Sequence, residues 1–372
     1  MKKHFFFKTL VLSTALLIAV AGCSGGGATS SSIQDSSTQP ASASSDSNAS
    51  AEAGETYVLK ISTVLSDTSP NVAALNEFER HLEELTDGRI DVQVYPGGVL
   101  VSSDEMNAEW AISGGLEIAV SPPFALGKVA NAPEMEIFDY PYMFKTNEVC
   151  QEYVKTDVIK QVEERIEANH DVKIMGYYDI SWLDIGNRTR PLVNVPGDGS
   201  GMKVRSPMGT IWVDTLESLG PSPVPIAFGE IFSALQQGTL DGVLTTASNM
   251  MNSRFYEVID YITFSDHILS AYVIMVNGTF YNSLTPDLQA HLETALEAFR
   301  LNALTLYQEE RAELPDRFRE LGLEVYELTD DDYELWKAAV QPAVEKNKDK
   351  LGDGFYEASI KEIEAIEARL GL

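Results

Sequence analysis

Residues 57–98 read YVLKISTVLSDTSPNVAALNEFERHLEELTDGRIDVQVYPGG. Tyr57, Leu59 and Ile61 alternate with polar or outward positions, the period of a strand. Ser69-Pro70 then supplies an N-cap and a first helical proline. Ala74, Phe78, Leu82 and Leu85 follow at helical spacing, with Gly88 where a C-terminal cap belongs. Ile90, Val92 and Val94 alternate again before the turn at Pro96-Gly97-Gly98. Strand, helix and strand in this order predict a right-handed crossover between parallel strands. The fold class is therefore α/β.

The same alternation continues outward from that unit. Strands are expected at 118–120, 172–178, 202–205, 240–244 and 271–277, and helices at 210–219 and 228–237. Residues 190–201, with Pro191, Pro196 and three glycines, read as a loop. From Leu284-Thr285-Pro286 a helix runs to about Leu321, roughly 50 Å at 1.5 Å per residue. Pro315 is expected to kink or break it near its end. Such a length exceeds the needs of one small domain, so this helix is expected to cross two. Thr329 and the three aspartates after it cap a further helix, and a last helix begins at Tyr356. The chain reads as two doubly wound lobes, and ligands of such folds sit beyond the carboxyl ends of the strands.

The amino terminus has another character. Lys2, Lys3 and Lys8 precede an apolar run from Leu10 to Ala21, followed by Gly22-Cys23, the pattern of a secretory signal. The run is shorter than the roughly 20 apolar residues a membrane span needs. Small residues directly before a cysteine match the bacterial lipobox, so residues 1–22 are expected to be a lipoprotein signal peptide and Cys23 the lipidation site. Residues 24–55 hold 11 serines and no Lys or Arg. Such a segment buries too little apolar surface to offset its ordering entropy, and residues 23–55 are read as a lipidated, disordered tether.

The formal charge of −29 disfavours nucleic acid and anionic membrane surfaces as partners of the general surface. An anionic ligand would have to be met by local positive charge. Cys150 is the one cysteine besides Cys23, which leaves no intramolecular disulfide once Cys23 is lipidated. The five histidines show no metal-ligand spacing, and neither His-Glu-x-x-His nor Gly-x-Ser-x-Gly occurs. Gly197-Asp198-Gly199-Ser200-Gly201 precedes a strand where a phosphate loop needs a helix, and reads as a turn. No catalytic residue, metal site or cofactor is assigned.

One region is specific. Gly201-Met202-Lys203-Val204-Arg205-Ser206-Pro207 is followed by Leu219-Gly220-Pro221-Ser222-Pro223. Phe228-Gly229-Glu230-Ile231-Phe232-Ser233-Ala234-Leu235-Gln236-Gln237-Gly238 comes next, and then Asp241-Gly242. This resembles the core of the TRAP transporter solute-binding proteins, the DctP family. Tyr95-Pro96-Gly97-Gly98, Asp139-Tyr140-Pro141-Tyr142-Met143-Phe144 and Asp266-His267 look like the family too, so the resemblance covers essentially residues 56–372. It implies a hinged, two-lobed periplasmic-binding-protein-like fold with a long helix crossing both lobes. The expected layout is 56–180 with 271–310 in lobe I, and 181–270 with 311–372 in lobe II.

The resemblance also implies a small carboxylate held by an arginine, which falls on Arg205, and an aromatic packed on the ligand, which falls on Phe228. Guanidinium offers two parallel donors that match a carboxylate. Two positions depart from the family pattern. Trp182 and Leu183 stand where many members have an aromatic and a second arginine, and Thr245 where many have an asparagine. With Trp182, Leu183, Thr245 and Phe228 in the pocket, the ligand is expected to join its carboxylate to an apolar or aromatic body. The implied role is extracytoplasmic capture for TRAP membrane permease subunits, with lipid anchoring at the cell surface or in the periplasm. Service to an ABC transporter or sensor is the alternative within this class, and a secreted lipoprotein enzyme the alternative outside it.

Overall fold

The computed structural model describes residues 55–372; the signal peptide, Cys23 and nearly all of the tether lie outside the described residues. The opening unit forms as its sequence predicts. Strand β1 (Tyr57–Ser62) leads into helix α1 (Pro70–Leu85), capped by Ser69, whose side chain accepts from the Val72 amide. Strand β2 (Ile90–Tyr95) then pairs in parallel with β1. Helix α2 (Asp104–Ser113), strand β3 (Ile118–Ser121) and helix α3 (Pro123–Ala130) follow. A 3-10 segment (Pro133–Asp139) and helices α4 (Asn147–Tyr153) and α5 (Asp157–Asn169) complete this side.

Strand β4 (Val172–Asn187) is twice the predicted length, because its alternation is interrupted. Register shifts fall at Gly176 and Ser181, whose φ angles are +143° and +130°. Each irregularity flips the inward face, so a strict period-2 reading loses the strand after Tyr178. Beyond it lie β5 (Lys203–Ser206), α6 (Thr210–Leu219), β6 (Ser222–Pro225), α7 (Ile231–Gln236), β7 (Gly242–Thr246), α8 (Ala247–Asn252) and β8 (Tyr261–Phe264). The chain returns through β9 (Leu269–Asn277) and α9 (Gly278–Ser283), then α10 (Pro286–Glu320), β10 (Glu324–Glu327), α11 (Asp330–Asn347) and α12 (Phe355–Leu370).

Strands run in the order β2-β1-β3-β9-β4-β7-β5-β6, with β8 joining β4 to β10. One lobe is built on β1, β2, β3 and β9, the other on β5, β6, β7, β8 and β10. The long β4 pairs with β9 in its first half and with β7 and β8 in its second, so it belongs to both. The long helix does the same. Leu288, Leu292, Leu296, Phe299 and Tyr307 of α10 pack into the core around β1 and α1, and Leu314 and Phe318 into the core around Ile262 and Phe264. Those last two side chains are fully buried and hold the final turns in place, so Pro315 does not break the helix as the sequence predicts.

Residues 311–372, expected together in the second lobe, do not all pack on the same elements. Helix α11 packs on α6, but α12 packs on α4 and α5 of the first lobe. The Tyr153 hydroxyl bonds the Ser359 hydroxyl at 2.7 Å, and Arg369 pairs with Glu152 at 2.8 Å. The amphipathic spacing of α12 shows that it has a buried face without showing which lobe receives it.

Candidate functional site

A cavity of about 70 Å³ lies between the lobes, beyond the carboxyl ends of β1, β3, β5 and β7. Val64 and Leu65, the start of α2 and Asp139 line it from the first lobe; Arg205, Trp212, Phe228 and the end of β7 line it from the second. Ile180 and Leu183 of β4, with Ser270 and Tyr272 of β9, form the part made by the crossing strands. The N-terminal turn of α2, capped by Ser103, borders the cavity and presents the positive end of its helix dipole.

Among the described residues Arg205 is the one cation lining this cavity. Its strand is flanked on both sides, Arg205 pairing with Val224 and with Val243. The side chain is 6% exposed. Nε donates to the Ile226 carbonyl at 3.1 Å and Nη1 to the Leu244 carbonyl at 3.3 Å. These two bonds fix the guanidinium plane. Nη2 has no hydrogen bond among the described residues, which leaves the Nη1–Nη2 edge to present paired donors to an anion. Burial lowers the Arg205 pKa to about 10, against the opposing pull of Asp104 and Glu105, so the group stays charged at neutral pH.

Of the residues singled out from sequence, Arg205, Phe228, Leu183 and Thr245 come together on this cavity. Phe228 is half-buried and packs against Phe255 at 5.9 Å between ring centroids. Trp182 is not among the lining residues; it packs against the core instead. Successive side chains of a strand point to opposite faces, so Trp182 and Leu183 do not share one wall.

Several lining residues escape the sequence reading. Asn249, one turn into α8, is 8% exposed and donates from Nδ2 to the Thr245 hydroxyl at 3.2 Å. An amide therefore stands at the cavity although Thr245 itself carries none. Asp104 and Asp139 also line the cavity, and Asp104 Oδ1 and Asp139 Oδ2 are buried without a hydrogen-bond partner. Burial, reinforced by Glu105, raises the Asp104 pKa to about 7 despite Arg205, and burial with Glu136 raises that of Asp139 well above the ordinary carboxylate range. The walls combine these polar groups with Leu183, Ile180, Phe124 and Phe228, a more mixed lining than the apolar pocket expected from Leu183 and Thr245.

Arg188 and Arg190 bond backbone carbonyls and do not line the cavity. Cys150 is a buried free thiol. Among the described residues no group of three His, Cys, Asp or Glu is placed to hold a metal ion, and no helix is long and apolar enough to cross a membrane.

Two lobes joined by β4, β9 and α10, with a cation-bearing cavity between them, define a solute-binding protein. The pattern of the family described as bacterial extracellular solute-binding protein, family 7 (DctP), matches residues 61–350, and the chain belongs to that family, the solute-binding proteins of TRAP transporters. The C4-dicarboxylate-binding periplasmic protein DctP of Rhodobacter capsulatus is 27% identical over 299 residues, covering 80% of this chain and 88% of its own. The C4-dicarboxylate-binding protein DctB of Bacillus subtilis is 26% identical, over 77% of this chain and 80% of its own. Among solved structures, the sugar acid binding protein DctPAm of Advenella mimigardefordensis in complex with galactonate superposes with a TM-score of 0.78 at 23% identity, over 84% of this chain and 99% of that one. A TRAP periplasmic solute-binding protein of Sulfurospirillum deleyianum with bound succinate gives 0.76 at 22% identity, over 84% and 99%.

Proposed function

We propose that this protein captures a small carboxylate at Arg205, closes its lobes about the hinge made by β4, β9 and α10, and delivers the ligand unchanged to TRAP permease subunits. The observation that carries this reading is the Arg205 guanidinium, buried and held by two carbonyls with a donor edge left over. Phe228 and Leu183 would pack on the ligand, while Thr245 and Asn249 would bind its oxygens. The carboxylates named for the relatives, galactonate, succinate and C4-dicarboxylates, support the ligand class. In this reading α12 moves with the first lobe and α11 with the second.

Binding without turnover is the expected result. A thermal-shift screen of sugar acids, C4-dicarboxylates and apolar monocarboxylates should find at least one stabilising ligand, since 100-fold saturation adds about 2.7 kcal/mol to the native state. Recovery of that ligand by NMR after incubation with stoichiometric protein should return it intact. A chemically altered ligand would make the protein an enzyme.

The same proposal includes anchoring. Ala21-Gly22-Cys23 and the serine-rich segment after it support diacylation of Cys23 and a body held off the membrane by a tether. Mass spectrometry of the protein from its native membrane should find an acylated cysteine as the first residue. An unmodified Cys23, or a mature start elsewhere, would remove the anchor.

A further inference from the structure

The cavity carries more acid than its proposed ligand can meet without adjustment. Asp104, Glu105 and Asp139 line the cavity with Arg205, and the first two act on its charge. Glu105 is compensated by Lys128 of α3, with Nζ and Oε1 3.2 Å apart. Asp104 and Asp139 have no such partner, and each keeps a buried oxygen without a hydrogen bond. Asp139 is only 5% exposed. A carboxylate docked on Arg205 would bring a second anion toward these oxygens in a site of reduced solvent screening. A like charge brought into such a site disfavours the ionised form and favours uptake of a proton.

We propose that Asp104 takes up a proton from solvent when a carboxylate enters beside Arg205, and then donates its O–H to the ligand, so that capture is coupled to proton uptake. This rests on the carboxylate reading above. The other charged or titratable groups facing Asp104 are Glu105 on its own helix, Arg205 from β5, and the phenols of Tyr178 and Tyr272 from β4 and β9. Burial pushes both phenols well above their usual value, so they stay neutral and do not exchange the proton. Burial and Glu136 raise the Asp139 pKa well above the ordinary carboxylate range. Asp104 lines the cavity with Arg205, has a buried Oδ1 without a hydrogen bond and a pKa raised to about 7, and is the group poised to change. The incoming anion replaces part of what Arg205 offers it and raises its pKa further. The sign follows: affinity is highest below pH 7 and falls as pH rises through the free-state value, by up to about tenfold per unit.

Calorimetry of the mature protein in buffers of different ionisation enthalpy measures the uptake directly. The probes are galactonate and succinate, compared at pH 7 and pH 8. Wild-type protein should take up protons on binding galactonate, and more at pH 8 than at pH 7. Asp104→Asn, which keeps a donor and removes the titration, should show no uptake and a flat affinity across this range. Binding with no uptake by the wild type overturns the inference and leaves the function standing, as does uptake that persists in Asp104→Asn. Failure of both probes and of every other carboxylate to bind overturns the two together.

Discussion

Replacing Arg205 with alanine is expected to weaken carboxylate binding by about 2–5 kcal/mol, the usual cost of truncating one partner of a desolvated charge pair. That corresponds to a loss of about 30-fold or more in affinity. The ligand would lose its countercharge in a cavity that no other cation lines among the described residues. It would also face Asp104 without the group that opposes it. Arg205→Lys should do little better. An ammonium carries the charge, but it cannot hold the Ile226 and Leu244 carbonyls while presenting two parallel donors. Because both carbonyls lose a partner in the alanine variant, its melting transition should be measured beside its calorimetry. A folded Arg205→Ala protein with wild-type affinity would take Arg205 out of the site.

Arg205 was legible in the sequence for two independent reasons. It sits at the end of a short strand, where α/β folds receive ligands, and it falls on the arginine of the Gly-x-Lys-x-Arg pattern. Asp104 had neither advantage. An aspartate after a serine at the start of a helix is what capping and the helix dipole prefer anyway, so its type carries no sign of a cavity. Asn249 was hidden differently. The strand preceding it ends one turn earlier, and only the six-residue helix α8 turns its amide back onto Thr245. Local periodicity located most elements, yet it could not follow β4 through its two irregularities. Nor could it assign α12 to a lobe. Those outcomes depend on which surfaces meet in three dimensions, and a single amphipathic face looks the same whatever covers it.

The second large effect is expected at Arg311, and it concerns stability. Arg311 lies in the part of α10 that enters the second lobe, and its guanidinium bonds both Asp184 of β4 and Asp266 of the β8–β9 connection. The same group lies 4.5 Å over the ring of Phe264. Asp184 is fully buried; apart from Arg311, its Oδ1 accepts from the Ser265 amide at 3.0 Å. One side chain thus ties together the strand and helix that pass between the lobes and the turn leading into β9. Arg311→Ala leaves the Asp184 carboxylate buried without a countercharge, which typically costs about 3–5 kcal/mol. Truncation also removes the contact with Phe264. Urea unfolding of the mature protein should show the loss as a lower midpoint at unchanged slope. Adding Asp184→Asn to Arg311→Ala should recover part of it, because the neutral amide no longer needs the cation. The Asp266 contact should matter less, since that carboxylate is half exposed and water can replace Arg311 there. A loss below about 1 kcal/mol in Arg311→Ala would mean that water reaches Asp184 once the arginine is gone, and the joint between β4 and α10 would then be held by apolar packing alone.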